Sequence, residues 1–185
     1  MTLDVQGILR KMDRAGKNKL KIFLVDYDLS CTKVISHQLN SIFGKRVEVT
    51  TFKDGEDCLA SLCLEPDLVL MDHYLKEDDP QATGLILMKK VKQYSSKINV
   101  ILMSGLGDMQ LAVRALKEGA MDYLVKGKNF MDRLLTDFTK IIEKYIHMEQ
   151  ENQYASQKKL IKIAIGSLAV GTFIAYVLLP AIFDS

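Results

Sequence analysis

Four side chains that can carry charge or a proton stand directly behind short apolar runs. Asp26 follows IFLV, Asp72 follows LVLM, Ser104 follows VILM, and Lys126 follows YLV. Asp28 lies two residues past Asp26, on the same side if the first run stays extended that far. Taken singly each is bland, since an acid behind a strand is usually a helix cap or a loop residue. Two carboxylates, an alcohol and an amine form a coherent set, however, and burying that much polarity by accident is costly. They can act together only if the four runs are strands that end at one edge.

The chain between these residues has the pattern that would bring them there. Strands are expected at 22–26, 47–52, 68–72, 100–104 and 123–126, with helices at 30–43, 55–64, 84–94, 109–119 and from Phe130 onward. IFLV, LVLM and VILM are unbroken rather than alternating, as required when helices cover both faces of a sheet. In the helix from Met109, Leu111, Ala112, Ala115 and Leu116 form an apolar stripe, and Gly119 is placed to end it in a left-handed turn. Alternating βα units imply parallel strands with right-handed crossovers, an open α/β sandwich. Such folds hold ligands and chemistry at the carboxyl ends of their strands.

The stretch from about Leu20 to Tyr145 resembles the receiver domain of two-component response regulators. The likeness lies in DLVLMD (67–72), VILMSG (100–105) and AVRALKEGAMDYLVK (112–126). It implies an α/β fold, a doubly wound five-stranded parallel sheet of flavodoxin-like order 2-1-3-4-5. It also implies that Asp72 is the phosphoacceptor, attacking a phosphohistidine, with Mg²⁺ neutralising charge. Asp26 and the backbone carbonyl of Tyr74 match metal-ligand positions, and Asp72 itself completes the set. Lys126 would pair with the phosphoryl group, Ser104 would hydrogen-bond it, and Tyr123 matches the aromatic that swings inward behind Ser104. The charge placed on Asp72 would bias the face made by helix 109–119, strand 123–126 and the following helix. Beyond self-phosphotransfer and autodephosphorylation, no enzyme activity is implied.

Three positions depart from the family pattern. Tyr27 stands where a second acid is usual, and a phenol with a pKa near 10 offers no anionic oxygen at neutral pH; Asp28 is the substitute within reach. The loop from Asp72 to Gly84 is longer than usual and carries Glu77, Asp78 and Asp79, which either crowd the site or form a solvated loop. Gly127 follows Lys126 where proline is usual. His73, next to Asp72, is expected to point away from it and to be a surface residue.

Outside this region the chain changes character. Residues 1–19 form a basic amphipathic lead-in, with Val5, Ile8, Leu9 and Met12 at helical spacing, which lies on an anionic bilayer, packs on the domain or frays. The receiver occupies 20–147, and Leu134, Phe138, Ile141, Tyr145 and Met148 form a seam on its last helix, serving as core first and partner surface second. A polar helical connector spans 148–162. Residues 163–183 contain no charged side chain, and 21 helical residues reach about 31 Å, matching a bilayer core. Lys158, Lys159 and Lys162 precede this stretch, so a single span with the receiver on the cytoplasmic side of the cell membrane is expected. Ser167, Gly171 and Ala175 share one face of it, the pattern of a homodimer contact.

Composition trims the remaining classes. A net charge of +2 disfavours a protein that coats nucleic acid, and no DNA-reading module is recognisable. Cys31, Cys58 and Cys63 form no CxxC pair, which favours reduced thiols. The expectation is a membrane-anchored, single-domain response regulator, phosphorylated by a sensor histidine kinase or phosphotransfer protein and signalling through an unidentified protein partner. The alternative is a receiver-fold scaffold at the membrane that works without phosphate.

Overall fold

The computed structural model describes residues 4–17, 19–75 and 83–183. Five strands, β1 (Leu20–Val25), β2 (Val47–Phe52), β3 (Leu68–Asp72), β4 (Asn99–Ser104) and β5 (Asp122–Val125), form one parallel sheet in the order β2-β1-β3-β4-β5. This is the expected 2-1-3-4-5 order. The connecting helices are α2 (Leu29–Phe43), α3 (Gly55–Ala60), α4 (Gly84–Tyr94), α5 (Met109–Lys117) and α6 (Phe130–Phe183), with α1 (Val5–Arg14) ahead of the sheet.

Successive residues of each central strand point to opposite faces, and both faces are covered. Ile22, Leu24, Leu68, Leu70, Ile101, Met103 and Leu124 join the buried cluster under α1, α2 and α6. Phe23, Val25, Val69, Met71, Val100 and Leu102 join the one under α3, α4 and α5. That two-sided burial is why the runs contain no polar residue. β2 lies at the edge and is less completely covered, with Glu48 and Thr51 exposed.

Short polar residues start the helices. Asp28, Asp54, Thr83 and Asp108 accept hydrogen bonds from the first free amides of α2, α3, α4 and α5. Gly119 has φ +101°, and Ala120 N donates back to Ala115 O, so α5 stops two residues earlier than expected and in the left-handed turn the sequence indicates. The expected helix 55–64 is α3 followed by a separate 3₁₀ turn at Leu62–Leu64.

The basic lead-in spends its apolar face on the body. Ile8 and Met12 are buried in the same cluster as Phe43, Phe138 and Ile142, while Lys11 pairs with Glu143 at 2.6 Å and Arg46 with Asp13 at 2.6 Å. α1 therefore packs on the α/β body rather than lying on a bilayer, because its one apolar stripe is already used.

α6 starts beside the carboxyl ends of the strands and crosses to the opposite edge, where the Tyr145 hydroxyl donates to Asp67, the residue before β3. From His147 its described side chains are exposed, and the helix continues unbroken to Phe183. Among the described residues no helix is long and apolar enough to cross a membrane. The expected span begins at Ile163, and from Gly171 its side chains, including the Gly171 and Ala175 part of the small-residue stripe, lie outside the described residues.

Candidate functional site

Asp26, one residue past β1, is 1% exposed and sits at the centre of the site. Its Oδ2 accepts from Lys126 Nζ at 2.6 Å and its Oδ1 from Asp28 N at 2.8 Å. Lys126 Nζ also lies 2.9 Å from Asp72 Oδ1, so one ammonium bridges two carboxylates from three strand ends. The backbone brings them into line: His73 N donates to Met103 O, and Lys126 N to Ser104 O, each at 2.8 Å. Those two bonds extend the ladder just beyond β3 and β5.

The electrostatics follow from burial. Burial raises the Asp72 pKa above the ordinary carboxylate value, and the adjacent Lys126 ammonium opposes it only in part. For Lys126, burial alone would lower the pKa, but Asp26 and Asp72 together outweigh it and hold the ammonium charged. Asp72 Oδ1 is buried and makes no aligned hydrogen bond despite its ion pair, so it retains a lone pair for another electrophile. Burial also raises the nearby Cys31 thiol to about 11, too high for a nucleophile at neutral pH.

Ser104 is buried at the end of β4, and its Oγ accepts from Leu106 N at 3.3 Å. It lies next to Met103, the register partner of Asp72. Tyr123 is turned inward, 5% exposed, donating its hydroxyl proton to Leu106 O at 2.8 Å and accepting from Asp108 N at 3.4 Å. Ser104 and Tyr123 thus hold the same short loop, through the N–H and the carbonyl of Leu106.

The second acid is arranged differently from the strand-alternation expectation. β1 ends at Val25, so Asp28 is exposed and its Oδ1 caps α2 through Ser30 N at 2.8 Å. Tyr27 turns outward, with Lys53 Nζ 5.1 Å from its ring centre. Tyr74 pairs with Thr83 in an isolated antiparallel bridge at the mouth of the loop. Glu77, Asp78 and Asp79 lie outside the described residues. His73 is half-buried rather than a surface residue: its ring meets Tyr74 edge-on at 4.6 Å, and burial lowers its pKa.

Among the described residues no group of three or more His, Cys, Asp or Glu side chains is placed to hold a metal ion. Mg²⁺ needs less than that, taking one or two carboxylates and completing its shell with water and phosphate oxygens. Asp26 and Asp72, with the unaligned Oδ1 of Asp72, meet that requirement.

Gly84 is a site residue the sequence reading passed over. A Cβ there would lie 2.2 Å from the Asp72 carbonyl oxygen and 2.7 Å from Leu102 Cδ1, and Gly84 N donates to His73 O at 2.8 Å. The first turn of α4 therefore presses on the backbone that carries Asp72. The glycine closing the long loop was the available signal, but only the fold shows what it touches.

The comparisons with known proteins agree with this geometry. The family described as response regulator receiver domain matches residues 22–138. The DNA-binding transcriptional regulator NtrC of Salmonella typhimurium is 32% identical over 133 residues, covering 71% of this chain and 26% of that protein. The transcriptional regulatory protein ZraR of the same species is 34% identical over 119 residues, 64% of this chain and 25% of its own length. The chain thus spans about a quarter of the length of these curated relatives. The solved receiver domain of NtrX from Brucella abortus is 27% identical with a TM-score of 0.57, covering 66% of this chain and 98% of that one. Since the matched segment takes in Asp26, Asp72, Ser104 and Lys126 on the sheet that aligns them, the chain belongs to the response regulator receiver domain family of two-component signalling.

Proposed function

We propose that this protein is a membrane-anchored response regulator that accepts a phosphoryl group on Asp72 and signals by changing which proteins it binds. The observation that carries this reading is the Lys126 bridge between Asp26 and Asp72, an ammonium held charged beside a buried carboxylate. An Asp72 oxygen attacks the phosphorus of a phosphohistidine on a sensor kinase or phosphotransfer protein. The P–N bond breaks as the P–O bond forms, and the imidazole leaves with the bonding pair and takes up a proton. Receiver domains generally bind Mg²⁺ at this position, and held by Asp26 and Asp72 it would supply charge neutralisation. Lys126 moves its charge from the carboxylates to the incoming phosphoryl oxygens. The Ser104 hydroxyl accepts from Leu106 N, so its own proton is free to bond a phosphoryl oxygen. Drawing Ser104 toward the phosphate loosens the loop that Tyr123 also holds, and this carries the charge event toward α5 and β5.

Anchoring is supported by the charge-free stretch 163–183, by Lys158, Lys159 and Lys162 before it, and by a helix that runs into it without a break. The receiver then faces the cytoplasm. The near-neutral charge supports protein rather than nucleic-acid partners.

The test is incubation of the full chain with acetyl phosphate and Mg²⁺, followed by intact-mass measurement. A phosphorylated species that disappears in Asp72→Asn is the expected result, and no such species in the unaltered chain refutes the reading. A phosphate-independent scaffold is favoured by one observation, the loss of an acid at Tyr27 with Asp28 engaged as a cap. It predicts that Asp72→Asn leaves the cellular phenotype unchanged.

A further inference from the structure

The direction in which α6 leaves the body fixes where the site sits relative to anything the helix is tied to. α6 begins at Phe130, close to Lys126 at the carboxyl edge of the sheet. It reaches the opposite edge at Tyr145, where Asp67 receives the Tyr145 hydroxyl, Lys17 Nζ at 2.7 Å and Lys21 N at 2.8 Å. α1 holds the same part of the helix from the side, through Ile8, Met12 and the Lys11–Glu143 pair. Beyond Ile146 the described side chains are exposed as far as Lys162, the last charged residue before the charge-free stretch. The 33 residues from Phe130 to Lys162 span about 50 Å of helix, and the exposed part from His147 accounts for about 24 Å.

We propose that α6 is a stiff stalk holding the Asp72 rim about 50 Å from the bilayer and facing away from it, so the surface offered to a phosphohistidine-bearing protein is the one farthest from the membrane. The inference rests on the anchored reading above and adds an orientation and a height to it. The underside of the domain, where Lys45 and Arg46 precede β2, faces the lipid at about 24 Å. A Debye length of about 8–10 Å screens such basic residues from anionic headgroups at that distance, so the stalk rather than surface charge sets the position. A donor must therefore present its phosphohistidine from the cytoplasmic side at that height, and a donor site lying flat on the bilayer does not reach Asp72.

The full chain carrying Cys63→Ser is placed in phosphatidylcholine vesicles containing an energy-acceptor headgroup, with a fluorophore on Q157C, K45C or K128C. Cys31 and Cys58 remain, their thiols raised to about 11 and about 12 by burial. Transfer to the lipid acceptor is expected to be strongest from position 157, weaker from 45 and weakest from 128. Deleting residues 151–157, two turns or about 10 Å, is expected to increase transfer from both 45 and 128 without changing their order. Equal or stronger transfer from 128 than from 45, in a chain that floats with the vesicles, overturns the orientation and leaves the anchor intact. A chain that does not float with the vesicles overturns the anchor, and the stand-off with it.

Discussion

Gly84 shows how tightly single residues constrain this site. Its missing Cβ makes room for the Asp72 carbonyl, which belongs to the sheet and cannot move as the Leu102 side chain can. Gly84→Ala is expected to cost about 1–3 kcal/mol, read as a lower thermal midpoint, and to slow phosphorylation of Asp72 by acetyl phosphate. Lys126→Met should cost more, about 3–5 kcal/mol at neutral pH in urea unfolding, because it leaves Asp26 and Asp72 buried without their shared cation. That loss should shrink in acid, where one carboxyl takes up a proton, and a loss that does not vary with pH would refute the electrostatic explanation. Asp26, Asp72, Ser104 and Lys126 were legible in the sequence because an apolar run ending in a polar residue marks a strand end. Gly84 and the cap role of Asp28 were not, since one depends on a neighbour in space and the other on where β1 stops.

The secondary-structure elements were legible to the extent that burial dictates their pattern. β2, β3 and α4 have the bounds their residues indicate, whereas the choice for α1 between bilayer and body required the partner surface formed by Phe43, Phe138 and Ile142. The Asp67 junction was out of reach for the same reason, since it joins the lead-in to the start of β3 across 50 residues and β3 to α6 across 78. Burial and Asp67 both raise the Tyr145 pKa above its usual 10.0. The hydroxyl contributes its full stability below pH 10, and above that the unfolded chain ionises first, so stability falls as pH rises. Tyr145→Phe should lose about 1.5 kcal/mol at pH 8, and the gap to the unaltered protein should narrow above pH 10. Thermal midpoints from pH 8 to 11 measure both, and parallel curves would show that the bond is not the cause.

Across the whole molecule, one helix serves as sheet cover, stalk and proposed anchor. Fractionation tests the last role: the full chain should stay with membranes through alkaline carbonate and high-salt washes, and a chain lacking residues 163–183 should be released into the supernatant. Retention of the shortened chain would place the attachment elsewhere. Charge, periodicity and apolar length change near residues 20, 148 and 163, and these changes are what the sequence offers for dividing the chain. That the polar stretch and the charge-free stretch 163–183 would continue the helix from Phe130 as one helix of 54 residues was not legible, because nothing in the polar stretch marks a break or its absence. A helix that fills a core and also leaves it makes the protein sensitive to pulling. Tension along α6 loads the Tyr145–Asp67 bond, the Lys11–Glu143 pair and the apolar seam in shear, before any strand is strained. Under load the domain would release α6 while its sheet remained intact.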